Sequence, residues 1–342
     1  MTPTRRTFLQ IGASSLAAAF TKTSTHSREP IPQQRCRRFH VVQIDVFSAY
    51  RLQGNALAVF TDARGLSDSE MQDLARETNL QETTFVFPRD PAVEKEHGVK
   101  VRIFIPEQEI PFAGHPTLGT AMVLRNRLVA QGKKSEGSND TIQDIPLDLQ
   151  VGRIPVTFRQ DVSGNVFGEM RQIDPVFGPT HDRATVAALV GVKPTDISEE
   201  GPIQTISTGL PFAIVPLKHL STLQSLRPDF QEIRAYFNRE PVMTDFYYVT
   251  CETQESEVGL RSRGMFSPGG EDPATGSAAG CTAAWMVRYG IAQPSQSVHI
   301  QQGVEIKRPS HIFVRANKQG EKITDVRVGG HAVEVMEGEF SL

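Results

Sequence analysis

The sequence predicts an α+β fold built as two similar halves, and three observations predict it. Strand-like and helix-like runs follow one another without the regular βαβ alternation of a doubly wound sheet. "GHPTLGTA" at 114–121 returns as "EDPATGSA" at 271–278: with the prolines aligned, His115 falls with Asp272, Gly119 with Gly276, and Thr120 with Ser277. The 342 residues, 39% of them hydrophobic, suffice for two cores. The halves divide as 38–150 and 151–342, the last strand being able to cross back to the first half.

Residues 38–47 alternate apolar side chains, and "NALAVFTD", "ETTFVFP" and "KVRIFIP" are short β-branched or aromatic runs bounded by turn residues, so strands are expected at each. "SDSEMQDLARETNL" opens with the capping box Ser67 and Glu70 and repeats Met71, Leu74, Ala75 and Thr78 along one helical face. "TLGTAMVLRNRL" follows the first motif as a helix. "AQGKKSEGSNDTIQD" (130–144) has no apolar period and reads as a surface loop or hairpin tip. Beyond it, "RIPVTFRQ" and "DFYYVTC" are expected strands, "DRATVAALVG" and "TLQSLRPDFQEIRAYF" expected helices. "ATGSAAGCTAAWMVRYG" is the helix after the second motif, and 297–340 a meander of short strands.

Proline is at home at the first helical position, so each motif is expected to open its helix with His115 or Asp272 at the N-cap. A helix N-terminus presents unpaired N–H groups and positive partial charge, and small residues there let a ligand come close. Two such ends in one chain suit an anionic ligand, a small carboxylate, held between facing domains.

Net charge of −3 with both signs interspersed gives no field for nucleic acid or an anionic membrane. Cys36, Cys251 and Cys281 form no CxxC pair and the nine histidines no close metal spacing, so neither a disulfide framework, a metal site nor a cofactor is signalled. Cys281 reads as a buried small hydrophobe in a helix. At the N-terminus, Arg5 and Arg6 precede Phe8, Leu9 and a short apolar stretch, the pattern of a twin-arginine export signal over residues 1–30. It is too short for a normal membrane span, so the expected location is periplasmic or extracellular, the alternative being a cytoplasmic protein with an incidental Arg-Arg pair.

"DVFSAYRLQGNALAVF", "NLQETTFVF", "RIFIPEQEIPFAGHPTLGTA", "STGLPFAIVPL" and "MFSPGGEDPATGSAAG" resemble, in order and spacing, the segments that mark the PhzF-like phenazine-biosynthesis isomerase family, over residues 40–285. The resemblance implies a diaminopimelate epimerase-like fold, two similar domains each with a mixed sheet curled round a central helix. It implies a cofactor-independent isomerase of the trans-2,3-dihydro-3-hydroxyanthranilate isomerase type, and a homodimer. It places Glu82, His115 and Asp272 as catalytic residues in the cleft, with Asn55, Gly114, Gly276 and Ser277 on the substrate. Gln81, Ala56 and Ile105 stand where the family often has serine, proline and threonine, and they neighbour the cleft.

The residue chemistry agrees. Moving a hydrogen along a conjugated acid needs a group that takes a proton and returns it elsewhere, and burial raises a glutamate from about 4.3 toward neutrality, where both are feasible. Glu82 is the candidate shuttle, with His115 and Asp272 tuning it. An amino-acid epimerase on the same fold would use two thiols, absent from both motifs. A phosphate loop at Gly114–Thr120 lacks its lysine. A non-catalytic exported protein that binds small carboxylates would keep the helix ends without needing Glu82 to titrate.

Overall fold

The computed structural model describes residues 36–132, 144–238, 244–266 and 270–342; the expected export segment and most of the 130–144 loop lie outside them. Strand β1 (Arg38–Val46) pairs antiparallel with β2 (Asn55–Phe60). Helix α1 (Asp68–Thr78) then returns the chain to β3 (Glu82–Phe87), parallel to β2. The capping box forms as expected: the Glu70 amide donates to Ser67 Oγ and the Ser67 amide to the Glu70 carboxylate, while Met71, Leu74 and Ala75 face inward. Helix α2 (Pro91–His97), β4 (Val99–Phe104), the short β5 (Glu109–Ile110) and helix α3 (Gly114–Ala130) follow. The hairpin of β6 (Leu147–Leu149) and β7 (Gly152–Ile154) completes this stretch.

The run 153–160, expected as one strand, is divided at Pro155, which has no N–H to give a ladder. Before it β7 stays in the first sheet; after it β8 (Val156–Gln160) opens the second. There β9 (Val166–Arg171), β10 (Val176–Thr180), helix α4 (Arg183–Val190), β11 (Gln204–Ser207) and β12 (Pro211–Pro216) lead to helices α5 (Leu220–Ser225) and α6 (Phe230–Phe237). Residues 222–237 are thus two helices rather than one. Pro228 blocks continuation, and the Asp229 carboxylate restarts the helix by accepting from the Gln231 and Glu232 amides.

Strands β13 (Asp245–Thr250), β14 (Leu260–Phe266) and β15 (Gly270–Asp272) precede the long helix α7 (Gly276–Arg288). The tail forms β16 (Val298–Gln302), β17 (Ser310–Gln319), β18 (Lys322–Gly330) and β19 (Ala332–Ser341), the last three longer than the short strands expected. Among the described residues the first sheet runs β19-β1-β2-β3-β4-β6-β7, and the second β10-β11-β12-β13-β14-β16-β17-β18-β9-β8. β19 pairs with β1 from Ala332 opposite Val46 to Ser341 opposite Arg38, so the chain's end closes the edge of the sheet in which it began.

Helices α3 and α7 are the axes. α3 lies on β1 and β2, α7 on β12, β17 and β18. Each is apolar or small all round its first turns and buried there, from Gly114 to Val123 and from Gly276 to Val287, as a helix surrounded by sheet requires. One continuous core joins them, with Ile44, Leu57, Leu118 and Met122 from the first half and Ala279, Trp285, Val314 and Val328 from the second. Cys281 is buried in α7.

Candidate active site

The N-termini of α3 and α7 abut. A Cβ on Gly114 would sit 2.5 Å from the Gly276 carbonyl carbon and 2.6 Å from the Ser277 nitrogen, so only glycine lets the two backbones touch. Neither His115 nor Asp272 is the N-cap that the sequence suggested. The caps are Ala113 and Thr275; His115 is the second residue of α3, and Asp272 ends β15, paired with Gly264. The two prolines do different jobs, Pro116 inside the first turn and Pro273 in the bend before α7. Matched by their helix starts, Gly114-His115 therefore corresponds to Gly276-Ser277. Neither cap side chain bonds its helix, whereas Ser67, Asp182 and Asp229 cap α1, α4 and α6, so the first amides of both central helices keep their donor capacity.

Three titratable side chains converge beside these ends. Glu82, at the first position of β3, is brought to the helix junction by its place next to Leu57 of β2. Its Oε2 lies 3.5 Å from His115 Nε2. Burial pushes the Glu82 carboxyl well above the usual range, and the charge on Asp272 pushes it further. Burial also depresses His115 to about 3, so its imidazole is neutral. Asp272 rises by burial to about 7, opposed by bonds from the Thr275 hydroxyl at 2.6 Å, Asn55 Nδ2 at 2.6 Å and the Ala274 amide.

Asn55 ties the halves together. Its two amide hydrogens face Asp272 Oδ1 and the Ala274 carbonyl at 3.0 Å, with His115 Nδ1 sharing them at 3.1 Å. That fixes the orientation of the amide and seats the His115 ring, whose Nε2 faces Glu82. The turn ahead of Asn55 is clamped from the second half: Arg308 donates to the Gly54 and Gln53 carbonyls and to the buried Asp45 carboxylate, which also accepts from the Leu52 amide.

The cavity in front of these groups measures about 490 Å³ and draws its wall from both halves. Glu82, Asp272, Thr275 and Ser277 form its floor, and Ile105, Ile110, Leu210, Phe212 and Phe266 its apolar sides. A space of this size, mostly apolar with a few convergent polar groups, suits one small organic molecule. Helix α1 sets one side, since Gln72 Nε2 donates to the Ile105 and Pro106 carbonyls at 2.9 and 3.0 Å.

Of the residues singled out from sequence, Glu82, Asp272 and Ser277 line the cavity, as do the unusual Gln81 and Ile105. His115 and Asn55 connect to the floor by the contacts above, and Gly114 and Gly276 form the helix junction. Sequence reasoning missed Thr275, although it lies inside the second motif, and Gln302 and Tyr247, which no local pattern marks. Gln302 donates to the Asp272 carbonyl and accepts from the Thr275 amide and the Tyr247 hydroxyl. Among the described residues no three His, Cys, Asp or Glu side chains gather as metal ligands, and no helix is long and apolar enough to cross a membrane.

The model of the phenazine biosynthesis-like protein family, PhzC-PhzF, matches residues 44–338. The trans-2,3-dihydro-3-hydroxyanthranilate isomerase of Pseudomonas aeruginosa is 34% identical over 306 residues, spanning 88% of this chain and 99% of that protein. The crystal structure of a PhzF-family phenazine biosynthesis protein from Bacillus anthracis matches with a TM-score of 0.76 at 26% identity, over 90% of this chain and 99% of that one. A probable proline racemase from Agrobacterium radiobacter, 11% identical, shares the fold alone with a TM-score of 0.60 over 89% and 93% of the two chains. The two sheets wrapped on two abutting helices are thus the diaminopimelate epimerase-like fold, and the chain belongs to the phenazine biosynthesis-like PhzC-PhzF family of isomerases.

Proposed function

We propose that the protein is a cofactor-independent isomerase that moves a proton within a small carboxylic acid, with Glu82 as the shuttle. The observation that carries this reading is the buried Glu82 Oε2, which has no hydrogen-bond partner and stands at the floor of a cavity beside a neutral imidazole and a second carboxylate. A carboxyl in that setting is raised toward the pH at which it both takes and gives a proton. In the reaction, ionised Glu82 takes a proton from a substrate carbon, the C–H electron pair moves into the conjugated system, and Glu82 returns the proton at another carbon. Bonds and electrons balance within substrate and enzyme. The uncapped first amides of α3 and α7, beside the His115 ring, meet the oxygen atoms on which charge develops.

The substrate of the Pseudomonas relative, trans-2,3-dihydro-3-hydroxyanthranilate, is the first to test. Proton NMR in D2O should show isomerisation with deuterium entering the product, and Glu82→Gln should abolish it. Binding without turnover by the unaltered protein would instead favour a non-catalytic carboxylate-binding protein on this fold.

By the same reading the protein works as a homodimer and leaves the cytoplasm by the twin-arginine route. Replacing Arg5 and Arg6 by lysine should retain it in the cytoplasm, and unchanged export would remove that assignment. Sedimentation at micromolar concentration reads the dimer.

A further inference from the structure

Behind Asp272 lies a buried chain of side-chain hydrogen bonds whose donors run from Tyr247 through Gln302 and Thr275 to its carboxylate. Tyr247, on β13, and Gln302, the last residue of β16, are fully buried, and Ser262 Oγ stands 2.8 Å from the Tyr247 hydroxyl. Gln302 uses its whole amide. Oε1 accepts from the Tyr247 hydroxyl at 2.7 Å and the Thr275 amide at 3.1 Å, while Nε2 donates to the Asp272 carbonyl at 2.7 Å and to Thr275 Oγ1 at 2.9 Å. Turned over, the amide would set oxygen against oxygen and N–H against N–H, so one orientation survives. With its acceptor side occupied by Gln302, the Thr275 hydroxyl has one use for its proton, the Asp272 carboxylate at 2.6 Å. Space for this packing comes from Gly264, where a Cβ would sit 2.5 Å from Thr275 Oγ1 and 2.9 Å from Gln302 Nε2.

A protonated Asp272 would find donors where it needs an acceptor. The chain therefore favours the acceptor form of Asp272, which leaves Glu82, with no donor on Oε2, to carry the proton that the two carboxyls share. We propose that Gln302 is a positioning residue of the isomerase site: through Thr275 it keeps Asp272 an acceptor and so decides which of the two carboxyls is the proton shuttle. The groups facing Asp272 are Glu82 from β3, His115 of α3 through Asn55, Tyr247 from β13, and its neighbour Glu271, which Arg263 on β14 binds with two bonds. Of these, Glu82 and Asp272 are the carboxyls that burial raises, while burial lifts Tyr247 well above the usual phenol range and depresses His115.

The proposal rests on the reading of Glu82 as shuttle, and it is tested first without turnover. Carboxyl carbon NMR of the free protein, with Asp272 and Glu82 assigned through Asp272→Asn and Glu82→Gln, follows each titration directly. Thr275→Val keeps the shape of the side chain and removes the donor, Thr275→Ser keeps the donor, and Gln302→Leu frees the Thr275 hydroxyl. Thr275→Val and Gln302→Leu should raise the Asp272 midpoint by roughly one to two units and lower that of Glu82, with Thr275→Ser coinciding with the parent. In turnover the first two should lose about ten- to a hundredfold in kcat, more than any rise in KM, with Thr275→Ser rescuing it. Unmoved midpoints in folded Thr275→Val would overturn the proposal, also where Gln302→Leu does not fold. Shifted midpoints in a protein that turns nothing over would leave the relay standing and remove the isomerase reading instead.

Discussion

His115 Nε2 and Glu82 Oε2 lie 3.5 Å apart, both buried and neither with a hydrogen-bond partner. The distance is that of an ion pair, but burial works against both charges, holding the imidazole neutral and the carboxyl protonated above its usual range. The pair is therefore poised for a ligand atom between or beside the two groups rather than for each other, and leaving them unpaired costs stability that function retains.

That cost has a pH signature. A carboxyl whose pKa is raised on folding adds no penalty below its unfolded value and a growing one as pH rises to the folded value. Glu82→Gln should thus be more stable than the parent at pH 8, by about 1.4 kcal/mol for each unit by which the carboxyl is raised. The advantage should close as pH falls to the ordinary glutamate range. Urea denaturation across pH 4–8 reads it, and a pH-independent difference would mean that Glu82 is not strained by burial.

Turnover should carry the same mark. A glutamate base raised by burial puts the acidic limb of kcat/KM above the usual carboxylate range, activity rising as pH rises through it. His115, depressed to about 3, adds no limb between pH 6 and 7, so His115→Gln should lower the rate and leave the limb in place. Disappearance of the limb in that variant would transfer the titration from Glu82 to the imidazole.

The glycines at the helix ends make a prediction about packing. Gly114→Ala and Gly276→Ala each drive a methyl into backbone or the Phe47 ring, and should cost about 1–3 kcal/mol and part the helix ends. Gly270→Ala, whose Cβ would meet nothing nearer than Gln81 Nε2 at 4.0 Å, should leave stability unchanged. Equal thermal midpoints for all three would refute the close approach.

What could be read from sequence was local or repeated. The α1 capping box lies within four residues, and the approach of Glu82, His115 and Asp272 follows only from the family resemblance that the motifs around each carry. Matching the repeats on their prolines misplaced the N-caps, because a proline fits equally inside a first turn, as Pro116 does, or just before one, as Pro273 does. Gln302 stayed invisible because its partners, Tyr247 and Thr275, are 55 and 27 residues away, and a glutamine at the end of a strand has no pattern of its own.

Asn55 gives the most demanding test of how the halves cooperate. It is 1% exposed, follows a glycine at φ +72° that turns the chain into β2, and contacts His115, Asp272 and the Ala274 carbonyl with one NH2 group. Asn55→Asp keeps the shape but exchanges those donors for oxygen, setting two carboxyls 2.6 Å apart by the parent's geometry. Like charges that close cannot both ionise, so the variant should bind an extra proton near neutrality and lose stability as pH rises. Asn55→Leu removes the donor without adding charge and should cost about 1–3 kcal/mol for the acceptors left unpaired, with a shallower slope that comes from Asp272 alone. Turnover should fall in both, since Asp272 loses a donor and His115 a contact that seats its ring. Denaturation at pH 5 and pH 8 separates the two, and matching pH slopes would show that Asn55 does not bridge the acids as the geometry has it.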